Sequence, residues 1–421
     1  MGKTYGDIFA MAFGPIVTVF VSHPEALQQL FTNTKEIEAP GELNRAAAPL
    51  IGNNGLLLLD GVRHKHRRKL LMPAFHGDRI RGYGDQICTL TEAIMSRQPI
   101  GQPFSAYAML QAMTLQVILE VIFGFHAGEP RYAQLKQLLP TLMNFARSPG
   151  VEIAFSLPAL QQSWWSPWQQ FHQLMEQFNQ LIYAEIDHRR QHPDPTRTDI
   201  LSELVVARDE LGEPMDNQSI RDLFPSMLFA GRDAASSAIA WALYWIHRLP
   251  NVRDQVLQEL DRLGNSADPL SIVQLPYLTA VCNESLRIYP TQIVTFPRRV
   301  ESSIKLMGYE LAPGTVIRGN IYLTHRRADL YPEPLQFKPE RFLERQFSSY
   351  EFLPFGGGVR RCPGEVLALF EMKLVLATVL LRYHLELTDT ATLRPQRRGV
   401  NFSPKGGLMM VSKNHRMGMR S

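Results

Sequence analysis

The sequence predicts a mainly α-helical protein with a smaller β region, and three observations predict it. Helical periodicity runs through most of residues 63–263 and returns strongly in residues 364–383. Apolar and polar residues alternate in residues 8–21 and again in 303–323, as strands do. With 45% hydrophobic and 20% charged residues, the composition is that of an ordinary globular protein. A length of 421 residues admits two or three domains or one large fold, with enough chain to bury a sizeable core.

Taken in order, residues 8–21 read as a hairpin turning at Gly14-Pro15, and residues 24–31 as a short helix. A Gly52-Asn53-Asn54-Gly55 turn comes next. The helices that follow are interrupted by a loop at 164–168 containing Pro167 and by a polar linker at 192–198. Residues 217–248 hold the helical period over about 48 Å at about 1.5 Å per residue, enough to cross the whole molecule. A helix over about 278–289 stops at Pro290. Residues 303–323 read as paired strands around Gly308 and Pro313-Gly314. Residues 330–359 are rich in Pro, Gly, Phe and Tyr without helical period, and the helix over 364–383 follows. There is no internal repeat and no low-complexity segment.

Lys plus Arg number 44 against 40 Asp plus Glu, and a net charge of +4 is too small to argue for nucleic acid. The longest apolar stretch, residues 366–381, is interrupted by Glu371 and Lys373 and falls short of the roughly 20 residues a membrane span needs. The start of the chain has no apolar signal core, so a cytoplasmic location is expected. Cys88, Cys282 and Cys362 lie far apart without a Cys-x-x-Cys pair, which argues against zinc and against a disulfide framework. At least two of them are expected to be buried thiols.

The segment Phe355-Gly356-Gly357-Gly358-Val359-Arg360-Arg361-Cys362-Pro363-Gly364 puts a cysteine at the end of a glycine-rich loop, just before a helix. A helix N-terminus carries positive potential, and with Arg360 and Arg361 adjacent the thiol is driven toward thiolate. The glycines let the backbone approach a flat ligand and adopt positive φ, and Phe355 is placed to pack beside the sulfur. Without such surroundings a lone cysteine ahead of a helix is a small buried hydrophobe. A phosphate cradle is disfavoured, because no Gly-Lys-Ser/Thr follows and Arg361 takes the last position of a G-x-G-x-x-G frame. The pattern Phe-x-x-Gly-x-x-x-Cys-x-Gly, met by Phe355, Gly358, Cys362 and Gly364, resembles the haem-binding signature of the cytochrome P450 superfamily.

Further constellations extend the resemblance. Glu284 and Arg287 stand three apart on one helix face, where an exposed pair would contribute only about 0.3–0.5 kcal/mol. Followed by Pro339-Glu340-Arg341-Phe342 and then the cysteine loop, they resemble the family's Glu-x-x-Arg helix and downstream arginine. That resemblance gives Glu284, Arg287 and Arg341 a structural task, locking the thiolate loop. The run His64-Lys65-His66-Arg67-Arg68-Lys69 opens a helix, with His64 and Arg68 at the spacing by which the family reaches haem propionates. Arg298 and Arg360 are added to that set because fork-like guanidinium groups suit carboxylates, with Arg299 able to replace Arg298. Lys65, Arg67 and Lys69 are then expected to face outward and offer an acidic ferredoxin or flavodoxin a docking patch.

Within residues 217–248, Ala230-Gly231-Arg232-Asp233-Ala234-Ala235-Ser236 resembles the family's oxygen-activation stretch. Gly231 costs about 1 kcal/mol in a helix interior, which function would explain. Asp233 keeps the family's acid, but Ala234 stands where threonine is usual, so the hydroxyl that assists oxygen activation is missing. Ser236 and Ser237 point away from that spot at about 100° per residue, which leaves three outcomes: a monooxygenase helped by a substrate hydroxyl or an ordered water, the favoured one, a leaky monooxygenase that releases peroxide, or an enzyme that consumes peroxide. Gly231, Asp233 and Ala234 are the catalytic candidates.

The resemblance covers nearly the entire chain and implies the family's fold, a triangular helical prism formed by one domain over residues 1–421. It implies haem b between the long distal helix and the helix after the cysteine loop, with Cys362 as axial iron ligand. The implied activity is monooxygenation of an apolar substrate with O2 and electrons from a ferredoxin or flavodoxin and its reductase, most like bacterial or cyanobacterial fatty-acid or terpene hydroxylases. The hairpin arrives without the proline-rich leader and first helix usual in the family, so a shortened N-terminus is expected. Substrate contacts are expected from residues 46–58, from the helix around Phe229 and Ala230 through Ala234, from Ile293 and Val294 through residue 296, and from Val400 through Phe402. No anchoring charge for a carboxylate is identifiable. Alternatives are a peroxide-dependent or hydroperoxide-rearranging haem enzyme and a non-catalytic haem sensor. The regular cysteine loop, Asp233 and the basic run weigh against them.

Overall fold

The computed structural model describes residues 6–13, 16–75, 77–161, 165–264, 268–389, 391–398 and 401–415. Its strands are β1 (Ile8–Phe13), β2 (Ile16–Val21), β3 (Ile37–Glu38), β4 (Pro103–Ser105), β5 (Arg298–Val300), β6 (Ile304–Leu306), β7 (Tyr309–Leu311), β8 (Val316–Gly319), β9 (Tyr383–Leu387), β10 (Pro395–Arg398), β11 (Asn401–Pro404) and β12 (Met409–His415). The helices that position the residues of interest are α1 (Pro24–Thr32), α2 (Gly61–Leu71), α3 (Ala106–Val117), α4 (Asn217–Arg248), α5 (Pro276–Ile288) and α6 (Glu365–Arg382). Two units divide the chain, one of residues 1–40, 95–108 and 234–421 and the other of residues 41–94 and 109–233.

The first unit is organised by a five-stranded sheet of order β1-β2-β8-β5-β3. Strand side chains alternate between faces, so Val19, Val21, Val300 and Ile317 share one face and pack with Leu27, Leu30 and Phe31 of α1. The expected hairpin is present as antiparallel β1 and β2, while its turn, Gly14-Pro15, lies outside the described residues. β4, β12 and β9 form a second sheet, and β6-β7 and β10-β11 are hairpins.

The expectation for residues 303–323 needs correction. β6 and β7 pair around Gly308, but β8 pairs with β2 and β5 instead of extending that hairpin. Residues Ile321–Thr324 are a helical turn, because the Asn320 side chain accepts the Leu323 N–H at 3.0 Å and starts a helix there.

Among its described residues the second unit forms helices and connecting loops, apart from an isolated bridge between Arg208 and Pro214. Arg189 is its buried hub: it pairs with Glu185 at 2.7 Å and Asp199 at 2.5 Å, and donates to the carbonyls of Phe123 and Gly124, both at 3.1 Å. The loop expected at 164–168 is also corrected. Helix Ser166–Gln191 begins there, with Pro167 in its first turn, where a missing N–H costs nothing. α4 spans the residues predicted for it and carries Pro225 in its interior, which removes one intrahelical hydrogen bond. Among the described residues no helix is long and apolar enough to cross a membrane.

Candidate active site

The cysteine loop is a set of nested turns. Gly356 N–H donates to Leu353 at 3.0 Å, Arg361 N–H to Gly358 at 3.0 Å, and Cys362 N–H to Phe355 at 3.0 Å. Gly356 and Gly358 have φ of 71° and 62°, the left-handed region that side chains resist. Gly357 is extended and needs to be glycine for a different reason: a Cβ there would lie 2.5 Å from the Phe31 ring at the end of α1. Cys362 is partly exposed, and α6 begins three residues later. Arg361 pairs with Glu365 across one turn at 2.6 Å. Of the other cysteines, Cys282 is buried, which pushes its thiol up to about 12, and Cys88 is half-buried.

One arginine packs against the loop from β5 and another belongs to it. Arg298 is 2% exposed and donates to Gly357 O at 2.9 Å and Phe296 O at 3.0 Å. Burial, and then the charge of Arg360, bring its pKa down to about 10. Arg360 donates through Nε and Nη2 to Ala39 O at 3.0 and 2.7 Å and lies 4.5 Å from the Phe296 ring centroid. Arg299, the substitute considered for Arg298, pairs with Glu301 at 2.6 Å and lies on β5 between β8 and β3, on the opposite sheet face from Arg298. The donor set fits haem b: a loop sulfur for iron and, at the same loop, a buried cation that pairs with no carboxylate among the described residues and suits a carboxylate-bearing cofactor.

Behind the loop, Glu284 and Arg287 are both 0% exposed. Arg287 Nε and Nη2 donate to the two Glu284 oxygens at 2.6 and 2.7 Å, and Arg341 Nε reaches Glu284 at 3.2 Å. The remaining Arg287 donors go to the carbonyls of His325, Pro334 and Gln336 at 2.8, 2.9 and 3.1 Å. His325, which the sequence did not single out, accepts the Leu353 N–H on Nε2 at 3.0 Å and so ties this network to the start of the cysteine loop.

In the second unit Asp233 is 1% exposed. Its carboxylate accepts from Gln111 Nε2 at 3.0 Å, lies 3.4 Å from Arg232 and forms an ion pair with Arg147. Gln111 and Arg147 stand far from Asp233 in sequence, and no spacing signal pointed to them. Within α4, Met227, Gly231 and Ala234 are half-buried and Ala230 exposed, although residues 236–244 are buried. These four fall on one helix face at i, i+3, i+4 and i+7. A Cβ on Gly231 would meet Ile118 Cδ1 at 3.0 Å. In the first unit Ser236 is fully buried, and Ser237 lies 3.4 Å from the Tyr107 hydroxyl.

On α2, His64 is buried and Arg68 half-buried. The outward orientation expected for Arg67 is corrected: it is 2% exposed, with Nη1 2.6 Å from Met215 Sδ. The reason is helical geometry, since residues 64, 67, 68 and 71 fall on the inward face and leave Lys65 and Lys69 exposed. Of the substrate candidates, Phe229 is half-buried, 6.0 Å from the Arg147 guanidinium. Ile293, Val294 and Phe402 are half-buried as well, and the Phe402 N–H on Thr291 O at 2.9 Å brings β11 to their segment. Val400 lies outside the described residues.

Comparison with known proteins agrees with this geometry. A family model described as Cytochrome P450 matches residues 1–415. The chain is 34% identical over 410 residues to cytochrome P450 135B1 of Mycobacterium tuberculosis, covering 96% of this chain and 84% of that one. It is 29% identical over 401 residues to cyclooctatin synthase of Streptomyces melanosporofaciens, covering 93% and 86%. A solved structure titled "Retinoic acid bound cyanobacterial CYP120A1" superposes with a TM-score of 0.85 at 25% identity, covering 98% of this chain and 92% of that one.

Proposed function

Because this chain belongs to the cytochrome P450 family and has its fold, we propose that it oxidises an apolar substrate of the fatty-acid or terpenoid class with electrons from a ferredoxin or flavodoxin and its reductase. Membership makes it a haem monooxygenase, an oxidoreductase whose iron is held by a cysteine thiolate. When bound, the haem supplies the oxygen-activating chemistry.

Residues 1–421 are proposed to act as one catalytic domain, a reading supported by the family match over residues 1–415. Cys362 is the proposed thiolate, with Phe355 and Gly358 shaping its loop. Arg298 and Arg360 are the proposed propionate partners. The same role for His64 and Arg68 rests on the sequence resemblance. Glu284, Arg287 and Arg341 hold the loop's support, and Asp233 with Gly231 and Ala234 forms the proposed oxygen-side segment. Phe229, Ala230, Ile293, Val294, Val400 and Phe402 are the proposed apolar contacts. One relative is named for cyclooctatin synthesis and a solved one carries retinoic acid, both names consistent with a bulky apolar substrate. Exposed Lys65 and Lys69 are the proposed electrostatic landing point for the electron donor, whose supply goes with a cytoplasmic site of action.

The observation that carries this reading is the Cys362 loop folded over Phe31 and fastened by the buried Arg298. The test is the spectrum of the reduced, carbon-monoxide-treated protein. The expected result is a red-shifted Soret band that Cys362→His abolishes. A wild-type protein without that band, or a Cys362→His protein that keeps it, overturns the reading.

A further inference from the structure

β8 carries Arg318, a basic residue outside the constellations described above. Arg318 pairs in register with Phe20 of β2, which pairs in turn with Phe9 of β1, and the two rings stack at 5.5 Å. The strand period places Arg318, Val316, Thr18, Phe20, Phe9 and Met11 on one sheet face, opposite the face that packs on α1.

On that face Arg318 is half-buried, and its guanidinium makes no hydrogen bond or ion pair among the described residues. Loss of water around it, with no compensating acid, lowers its pKa. A guanidinium in such surroundings lacks the bidentate acid partner that usually accompanies it.

Arg318 is also next to the proposed substrate segment. The following residue, Gly319, is bonded twice to Thr295: Thr295 N–H donates to Gly319 O at 2.9 Å, and Gly319 N–H donates to the side-chain Oγ1 of Thr295 at 2.9 Å. Tyr322 N–H donates to Ile293 O at 3.2 Å. The segment with half-buried Ile293 and Val294 is therefore pinned to the strand end that bears Arg318.

We infer that Arg318 is the anchor for a carboxylate on the substrate, so that the preferred substrates are apolar acids rather than neutral alcohols or hydrocarbons. The apolar body would lie along Ile293 and Val294 and the carboxylate would take two guanidinium N–H groups. This rests on the proposed monooxygenase reading and deepens it.

The experiment uses the haem-loaded full chain and two matched pairs of probes, palmitic acid with 1-hexadecanol and retinoic acid with retinol. Dissociation constants are read by haem spin-state titration and independently by equilibrium dialysis. The wild type is expected to bind at least one acid about tenfold or more tighter than its alcohol, and Arg318→Leu to weaken that acid about tenfold or more while leaving the alcohol within twofold. Arg318→Lys should recover part of the difference. Equal binding of acid and alcohol by the wild type in both pairs overturns the inference without any variant. So does an Arg318→Leu protein that weakens acid and alcohol alike. Either outcome alongside a normal carbon-monoxide band leaves the monooxygenase reading intact, whereas absence of the band removes that reading first.

Discussion

The backbone N–H of Leu353 donates to Nε2 of His325 at 3.0 Å, so the entrance to the cysteine loop hangs on an imidazole used as an acceptor. That use requires Nε2 to be unprotonated. Burial, then the charges of Arg287 and Arg326, pull His325 down to about 3, and burial pulls His247 down to about 4. In the unfolded chain both titrate near 6.5, so below that value the unfolded chain holds more protons than the folded one. Stability is therefore complete above about pH 6.5 and falls as pH drops toward these lower values, by up to about 1.4 kcal/mol per pH unit per group. Denaturant midpoints should fall between pH 7 and pH 5 in the wild type, and His325→Gln should flatten that fall. An unchanged slope in the variant would refute the assignment.

The Glu284–Arg287–Arg341 network makes a sharper prediction. Removing Arg287 leaves the 0% exposed Glu284 carboxylate with the more distant Arg341 at 3.2 Å in place of two bonds at 2.6 and 2.7 Å, and frees three backbone carbonyls. Breaking one partner of a buried pair costs on the order of 3–5 kcal/mol, enough to unseat the cysteine loop that His325 shares with this network. Arg287→Ala should be recovered without haem, judged by the Soret-to-protein absorbance ratio. A folded, fully loaded Arg287→Ala protein would count decisively against it.

How much of this was legible in the sequence follows from how local each signal is. The cysteine loop, the Glu284–Arg287 spacing and the length of α4 lie within single segments, where periodicity and residue type speak directly. The partners of Asp233 do not: Gln111 and Arg147 meet it only after three helices have packed, as does His325 with Leu353. Residue type alone points Arg67 outward, whereas helix phase places it with His64 and Leu71 on the buried face. The surroundings of Arg318 are decided by strand register, which spacing along the chain does not carry.

Asp222 fixes the expected substrate loop. Its carboxylate, 1% exposed, accepts the Asn54 N–H at 2.9 Å and the Arg221 guanidinium at 2.9 Å. It fills the space beside Gly52, where φ is 73° and a Cβ would lie 2.0 Å from Asp222 Oδ1. Gly52→Ala combines a strained φ with that clash, and Asp222→Asn weakens both charge-assisted bonds. Each should cost about 1–3 kcal/mol and speed amide exchange across residues 48–58. Unaltered exchange there in both variants would show that the loop is held by something else.

Ala234 offers the test closest to the chemistry. Asp233 beside it is already committed, bonded to Gln111 at 3.0 Å and paired with Arg147. The nearest hydroxyls on the same helix are occupied elsewhere in the packing: Ser236 is fully buried and Ser237 lies 3.4 Å from Tyr107. The residue itself is half-buried on the helix face shared with exposed Ala230, the face toward which a threonine at 234 would carry its hydroxyl. A hydroxyl there can hold a proton-donating water in place, as the family's usual threonine does. Ala234→Thr should raise the product formed per electron consumed and lower the peroxide released, at little cost in stability, since threonine is only modestly worse than alanine within a helix. Asp233→Asn should act oppositely on product yield, because it leaves Arg147 and Arg232 facing a neutral amide. If Ala234→Thr leaves coupling unchanged or lowers it, the hydroxyl's task is already met by the substrate or a bound water.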